Sequence, residues 1–319
     1  GHKCSIFICG GSQYKSPKVA KTIIEEHYFN IKADVNFLED PKTFNVEANA
    51  LVCTSYDTCY YGVSVEFFQN IFYFVQDYEP DFFPIGTFHF LAKETYNFGF
   101  DCITNGKWMA EKVESAGGKC VGYFQQAFDP NYYYPPQKRI FKKNKKYKIA
   151  AYVRFGTPRR LSEMIIYSLN ILHNERADFE VFFFGDNSMS INPVFTYRNL
   201  GILSHKELGN LYRSCEVGCV FSGTNYSLIP IEMMAAGLPV LELDGKNIRS
   251  TFQSETIILA KPNPLEIKDK ISNLLDNYEL RRSVSERAQD FVSQYSWEKS
   301  ARVVESLFIE TIQKKHDLC

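Results

Sequence analysis

The stretch Ser222-Gly223-Thr224-Asn225-Tyr226-Ser227-Leu228-Ile229-Pro230-Ile231-Glu232-Met233-Met234-Ala235-Ala236-Gly237-Leu238-Pro239 decides how the chain is read. The apolar runs on either side, Val217-Gly218-Cys219-Val220-Phe221 and Val240-Leu241-Glu242-Leu243, read as short buried strands. Between them, small and polar residues predict a loop, and Pro230 suits the first turn of a helix. Gly237 is the expected left-handed cap of that helix, and Pro239 blocks its continuation. A strand, a polar loop and a helix N-terminus offer unpaired backbone N–H groups to an anion. Glu232 falls where its carboxylate could meet a hydroxyl of the same ligand. Alone, the stretch reads first as an ordinary βαβ crossover, and the rest of the chain has to argue for a ligand.

Working outward, the chain alternates strands with helices in both directions. Before the stretch, 148–153 and 179–184 read as strands, 162–173 as an amphipathic helix and 206–215 as a helix with Ser204 as N-cap. After it, 264–277, 278–295 and a last segment from Trp297 read as helices, the last with Ala301, Val304, Leu307, Phe308 and Ile312 on one stripe. The first part repeats the pattern. Strands are expected at 5–9, 35–38, 50–54, 71–75, 102–105 and 121–124, with helices at 17–28, 87–98 and 107–116. Residues 129–136 are rich in Pro and Tyr and 138–148 are strongly basic, a composition that reads as a solvated linker. The fold class expected is α/β, with two doubly wound Rossmann-like domains facing a central cleft. Their expected limits are 1–137, joined by a C-terminal helix 298–319, and 138–297.

At 319 residues the chain can build two cores. With 36 basic and 37 acidic residues the net charge is -1, which gives no reason to expect nucleic acid as a partner. The nine cysteines form no C-x-x-C pair or zinc spacing and read as reduced, mostly buried small groups. No apolar run approaches the about 20 residues that span a bilayer, so the expectation is a cytoplasmic chain. It opens Gly1-His2 without Met, and a segment of a longer protein is expected.

Three guanidinium groups, Arg154, Arg159 and Arg160, crowd the end of one strand around Thr157-Pro158. Planar guanidinium forks match phosphate oxygens, and such a clamp would stabilise a departing diphosphate. Loops after successive parallel strands converge on one sheet edge, so Arg154, Arg160, Gly185, Ile202, Ser204 and the run Thr224, Asn225, Tyr226, Ser227, Leu228, Glu232 are expected to line one cleft. The arrangement is nucleotide-shaped: cations and loop N–H groups on phosphates, Glu232 on ribose, backbone at 202–204 against the base. Across the cleft Gly11, Asp77, Glu79 and Asn105 follow strand ends. Asp77 and Glu79 are readable either as a D-x-E metal pair or as a turn cap before Pro80.

The segment Glu232-Met233-Met234-Ala235-Ala236-Gly237-Leu238-Pro239-Val240, with Arg154 and Arg160 six positions apart, resembles the nucleotide-binding half of GT-B glycosyltransferases, particularly glycosyltransferase family four. Phe74-Val75-Gln76-Asp77, Gln125-Gln126-Ala127-Phe128-Asp129-Pro130 and Tyr295-Ser296-Trp297 extend the resemblance over nearly the whole chain. The runs 73–79 and 156–160 look most like the branch of bacterial rhamnosyltransferases of surface-polysaccharide and S-layer glycan assembly. The resemblance implies a retaining hexosyltransferase, with Glu232 on the ribose and with Arg154, Arg160 and Asp77 as its catalytic residues. It implies no metal and no cofactor beyond the nucleotide sugar donor itself. The implied partners are that donor and a glycan or lipid-linked glycan acceptor, expected to enter over Gly11, Asp77, Glu79 and Asn105, with peripheral association at the inner membrane face and a place in a larger multidomain synthase. A non-catalytic GT-B module of such a synthase is the alternative. The chain departs from the pattern at three places. Thr224 stands where the family has a carboxylate facing the donor sugar, Arg160 where it has Lys, and Gln76 where it has His. His89 and His205 read as structural.

Overall fold

The computed structural model describes residues 2–10, 14–27, 30–65, 68–137 and 140–317. The elements of the first part are β1 (Cys4–Cys9), α1 (Pro17–His27), β2 (Ala33–Leu38), β3 (Leu51–Cys53), α2 (Tyr56–Val63), β4 (Ile71–Val75), α3 (Thr87–Glu94), β5 (Asp101–Asn105), α4 (Lys107–Ser115) and β6 (Lys119–Phe124). The second part begins with β7 (Tyr147–Tyr152), α5 (Ser162–Glu175), β8 (Phe179–Phe184), β9 (Tyr197–Asn199), α6 (His205–Ser214) and β10 (Val217–Cys219). It continues with α7 (Ile229–Ala235), β11 (Val240–Leu243), α8 (Lys246–Arg249), β12 (Ile258–Ala260), α9 (Pro264–Asp276), α10 (Tyr278–Val292) and α11 (Trp297–His316).

Every described strand pair is parallel. The second part is one six-stranded sheet ordered β12-β11-β10-β7-β8-β9. The chain runs outward from β7 to β9, then returns to place β10 on the other side of β7. The loops leaving β7 and β10 therefore flank the crevice at which the strand order reverses. In the first part, β3 to β6 form a four-stranded sheet in sequential order, while β1 and β2 pair only with each other. The single doubly wound sheet expected there is thus divided among the described residues.

Local chemistry explains the elements that carry the crevice. Ile149, Ala150 and Ala151 of β7 are fully buried, as a central parallel strand covered on both faces requires. Helix α6 starts with a capping box: Ser204 Oγ accepts from Glu207 N at 3.4 Å, and Glu207 Oε2 accepts from Ser204 N at 2.9 Å. Helix α7 holds Pro230 in its first turn and stops where Gly237 adopts a φ of 74°. There Gly237 N donates to Met234 O and Leu238 N to Met233 O, both at 2.9 Å, a Schellman closure that only a residue tolerant of positive φ makes without strain. Helix α2 is not legible in the apolar period of 56–63; Ser55 and Thr58 cap it reciprocally.

The last helix, α11, lies on the four-stranded sheet of the first part. Val304, Leu307, Phe308 and Ile312 pack against Phe72, Ile103 and Phe124, with the Phe72 and Phe308 rings edge to face at 4.5 Å. Lys315 Nζ and Lys119 Nζ reach the fully buried Asp101 carboxylate at 2.7 and 2.6 Å.

Candidate active site

The site is assembled from the loops after β7 and β10 and from the ends of β4 and β5. The loop after β7 is folded tightly upon itself. Arg154 N donates to Ser162 Oγ at 2.7 Å and Phe155 N to Asp186 Oδ2 at 2.9 Å. Leu161 turns the loop into α5 with a φ of 47°, the one left-handed non-glycine residue among those described. A bulky side chain in that region costs energy, so the surroundings must over-determine it. They do: Gly223 N donates to Arg159 O at 2.8 Å, and Arg160 Nη1 donates to Ser222 Oγ at 3.2 Å and Asn225 O at 3.4 Å. The two loops are one stitched unit.

The three arginines occupy three different settings. Arg154 is exposed, and its guanidinium makes no hydrogen bond or ion pair among the described residues. Arg160 is half-buried, with only Nη1 engaged. Arg159 stacks 3.8 Å above the Phe82 ring, with Nε 3.6 Å from Asp77 Oδ2. Burial holds the Arg159 guanidinium below the usual arginine range, and Arg160 and Arg154 add to this while Asp77 opposes it. The charges of Arg154 and Arg160 are also felt at Asp186 and Glu242, while the carboxylate that faces Arg159 is that of Asp77.

That carboxylate joins the two parts of the molecule. Asp77 Oδ1 accepts from Tyr78 N at 2.8 Å and Asn225 N at 3.0 Å, and Oδ2 accepts from Thr224 Oγ1 at 2.8 Å. Asn225 Nδ2 donates to Gln76 O at 2.9 Å and Asn105 O at 3.1 Å. The Tyr226 hydroxyl lies 3.3 Å from Asn105 Oδ1 and 3.1 Å from Gln125 Oε1. Thr224, Asn225 and Tyr226 are consequently buried, as are Asp77 and Asn105. Burial pushes the Asp77 carboxyl up, while the bonds from Asn225, Thr224 and Tyr78 and the charge of Arg160 oppose the rise.

Several sequence expectations change here. An anion does sit on the 224–226 loop, but it is the protein's own Asp77, so the Asn225 N–H is not presented to a ligand. The Tyr226 N–H is likewise taken, by Asn225 Oδ1 at 3.1 Å. Asp77 and Asn105 hold the junction rather than an open acceptor surface. Glu79 is turned inward: Oε2 accepts from Tyr56 N and Oε1 from the Tyr73 hydroxyl, both at 2.9 Å. Asp77 and Glu79 therefore face different neighbours, and the D-x-E pair is not assembled. Ser227 Oγ is enclosed and makes no hydrogen bond among the described residues. Leu228, half-buried, stands at the N-cap of α7.

The remaining expected positions lie along the same sheet edge. Gly185 follows β8 with a φ of 103°, and a Cβ there would stand 2.4 Å from the Tyr152 ring and 2.8 Å from Val153 O. Ile202 is exposed, its N–H held by Asn187 Oδ1 at 3.1 Å. Ser204 caps α6 with its hydroxyl, and its own N–H is held by Glu207 Oε2, so of the backbone expected against a base this N–H is already engaged. Gly11 lies outside the described residues. His205 Nδ1 meets the Tyr133 hydroxyl at 2.9 Å and His89 Nδ1 meets Pro80 O at 2.8 Å, which gives both rings structural partners.

Two buried carboxyls back the crevice. Glu232, in α7, is raised to about 7 by burial, with the Tyr133 hydroxyl lowering it. Glu242, in β11, is fully buried and raised to about 8 by burial, with Leu243, Ser222 and Arg160 lowering it. Sequence reading passed over Glu242. The available signal was a single carboxyl inside the apolar run 240–243, where a central parallel strand has no solvent face to offer it.

Comparison with known proteins agrees with this architecture. Residues 147–272 match the family model described as WsaF, C-terminal domain. The O-antigen biosynthesis protein RfbC of Myxococcus xanthus is 32% identical over 243 residues, covering 74% of this chain and 19% of that protein. An uncharacterized glycosyltransferase of Methanocaldococcus jannaschii is 27% identical over 136 residues, covering 39% of this chain and 36% of that protein. The chain thus spans a minor part of the length of these relatives. The crystal structure of Anabaena HepE in complex with UDP-glucose superposes with a TM-score of 0.74 at 14% identity, covering 98% of this chain and 100% of that one. By fold the chain is a GT-B protein, and by sequence it is related to glycosyltransferases and to a protein of O-antigen biosynthesis.

Proposed function

We propose that the chain transfers a hexosyl group, rhamnosyl being the first candidate, from a nucleotide diphosphate sugar to a glycan hydroxyl in surface-polysaccharide assembly. The observation that carries this is the Arg154, Arg159 and Arg160 cluster at the switch point of a parallel sheet, with the Arg154 guanidinium exposed and without a hydrogen bond or ion pair among the described residues. Arg154 and the two unengaged nitrogens of Arg160 bind the diphosphate. They stabilise the negative charge that develops on it as the glycosidic bond breaks, in place of a metal ion. Glu232 and the segment 202–204 take the nucleoside end, as the family resemblance implies.

Asp77 has a supporting task in this reading. It keeps Thr224 and Asn225 in place, and Asn225 O in turn accepts from Arg160. The matched RfbC and the UDP-glucose complex of HepE support the substrate class. Retention of anomeric configuration follows the family resemblance.

The test is calorimetric titration with UDP, dTDP and GDP, followed by donor-hydrolysis assays with the corresponding sugars. Arg154→Ala is expected to lower turnover by about 10²- to 10³-fold, the effect of removing one donor to a developing charge. Full activity in a folded Arg154→Ala protein would overturn the proposal. A wild-type chain that binds none of the three nucleotides would favour a non-catalytic GT-B module.

A further inference from the structure

We infer that Glu242 is a positioning residue for Arg160, acting through Ser222. The carboxyl lies in the middle of β11 and has no exposed surface. Glu242 Oε1 accepts from Ser222 N and from Leu243 N, each at 2.8 Å, and Oε2 accepts from Ser222 Oγ at 3.0 Å. The third polar group of Ser222 is also held, since Asn247 Nδ2 donates to Ser222 O at 3.1 Å and continues to Thr224 O. Ser222 thus has no polar atom left to choose its own orientation.

The consequence passes to Arg160. A serine hydroxyl carries one proton and two lone pairs. Because its proton is given to Glu242, a lone pair of Oγ is turned to Arg160 Nη1 at 3.2 Å. The same Nη1 reaches Asn225 O at 3.4 Å, so two fixed acceptors set the plane of the guanidinium. Its other nitrogens then point as that plane dictates. The fold alone does not account for Glu242: an apolar side chain in a fully enclosed strand avoids the desolvation that a carboxyl suffers. Among the described residues no cation forms an ion pair with it, and Arg160, one hydroxyl away, is a positive group that it senses.

The inference rests on the reading that Arg160 meets the donor diphosphate, and one set of titrations separates the two. UDP, dTDP and GDP are titrated into the wild-type chain, Arg160→Ala, Glu242→Gln, Ser222→Ala and the double variant Arg160→Ala/Glu242→Gln. The titrations are run at pH 9, above the value of about 8 to which burial raises Glu242, so that its carboxylate is ionised; Glu242→Gln then reverses the bond to Ser222 Oγ and removes the negative charge behind the guanidinium. The nucleotide that binds the wild type should bind Glu242→Gln and Ser222→Ala about tenfold more weakly, the scale of one charge-assisted hydrogen bond. In the Arg160→Ala background, Glu242→Gln should cause no further loss, because nothing remains to be positioned. A purely structural role would persist in that background. Wild-type affinity in Glu242→Gln, or an undiminished loss in the double variant, overturns the inference. Wild-type affinity in Arg160→Ala removes the phosphate role of Arg160 and the inference with it. Should Glu242→Gln fail to fold, Ser222→Ala, which deletes one hydroxyl, decides the matter by the same comparison.

Discussion

Replacing Asp77 with Ala tests whether one carboxylate joins the two parts of this molecule. The side chain accepts from Tyr78 N, Asn225 N and Thr224 Oγ1 at 2.8, 3.0 and 2.8 Å. Asn225 is 2% exposed and Thr224 is 5% exposed, so neither recovers a water partner when the acceptor is removed. A buried donor left unsatisfied costs about 1–3 kcal/mol. Two such donors across the junction give about 2–6 kcal/mol. Release of a carboxyl whose burial already disfavours its charge returns part of this, so a net loss of about 3 kcal/mol is expected. Asp77→Asn should lose only about 1 kcal/mol, because its Oδ1 still accepts both backbone N–H groups and its amide still meets the Thr224 hydroxyl. The assay is urea denaturation at neutral pH followed by the fluorescence of Trp108 and Trp297. A loss below about 1 kcal/mol for Asp77→Ala would refute the reasoning. Equal losses in both variants would assign the effect to the charge facing Arg159, 3.6 Å away, and not to the two hydrogen bonds.

Glu242 supplies a pH dependence with a definite sign. Its folded value of about 8 lies above the ordinary 4.5, so between those limits the native chain binds more protons than the unfolded one and loses stability as pH rises. Glu242→Gln removes this slope; relative to wild type it should gain on the order of 4 kcal/mol between pH 5 and pH 9, read by urea melts. An unchanged difference between the two proteins would show that the carboxyl does not titrate there. Gly185→Ala forces a Cβ to within 2.4 Å of the Tyr152 ring and 2.8 Å of Val153 O at a φ of 103°. It should cost about 2–4 kcal/mol in thermal or urea unfolding, and a neutral result would show that the loop after β8 can shift.

Much of the second part was legible in the sequence because its signals are local. Pro230, Gly237 and Pro239 bound α7, Ser204 caps α6 and the run 240–243 is β11, each through chemistry that acts within a turn or a strand. The crowding of Arg154, Arg159 and Arg160 is likewise a property of neighbouring residues. What local pattern could not reveal is which partner a polar group finds from afar. Asp77 and Thr224 are 147 positions apart, and only folding converts a loop read as a ligand's anion seat into the seat of the protein's own carboxylate. Glu79 shows the same limit: its spacing from Asp77 suggested a shared face, yet Tyr56 and Tyr73 draw it inward. Glu242 reads as one residue of a strand, and its hold on Ser222 exists only because β10 and β11 lie side by side in the sheet. The sequence by itself determined the longer strands, the caps and the cationic strand end, while the three-residue strands β9 and β12 are too short to carry a period of their own. Tertiary structure decided which carboxyls face that end, because hydrogen-bond partners distant in sequence meet only when the sheets and their loops are in place.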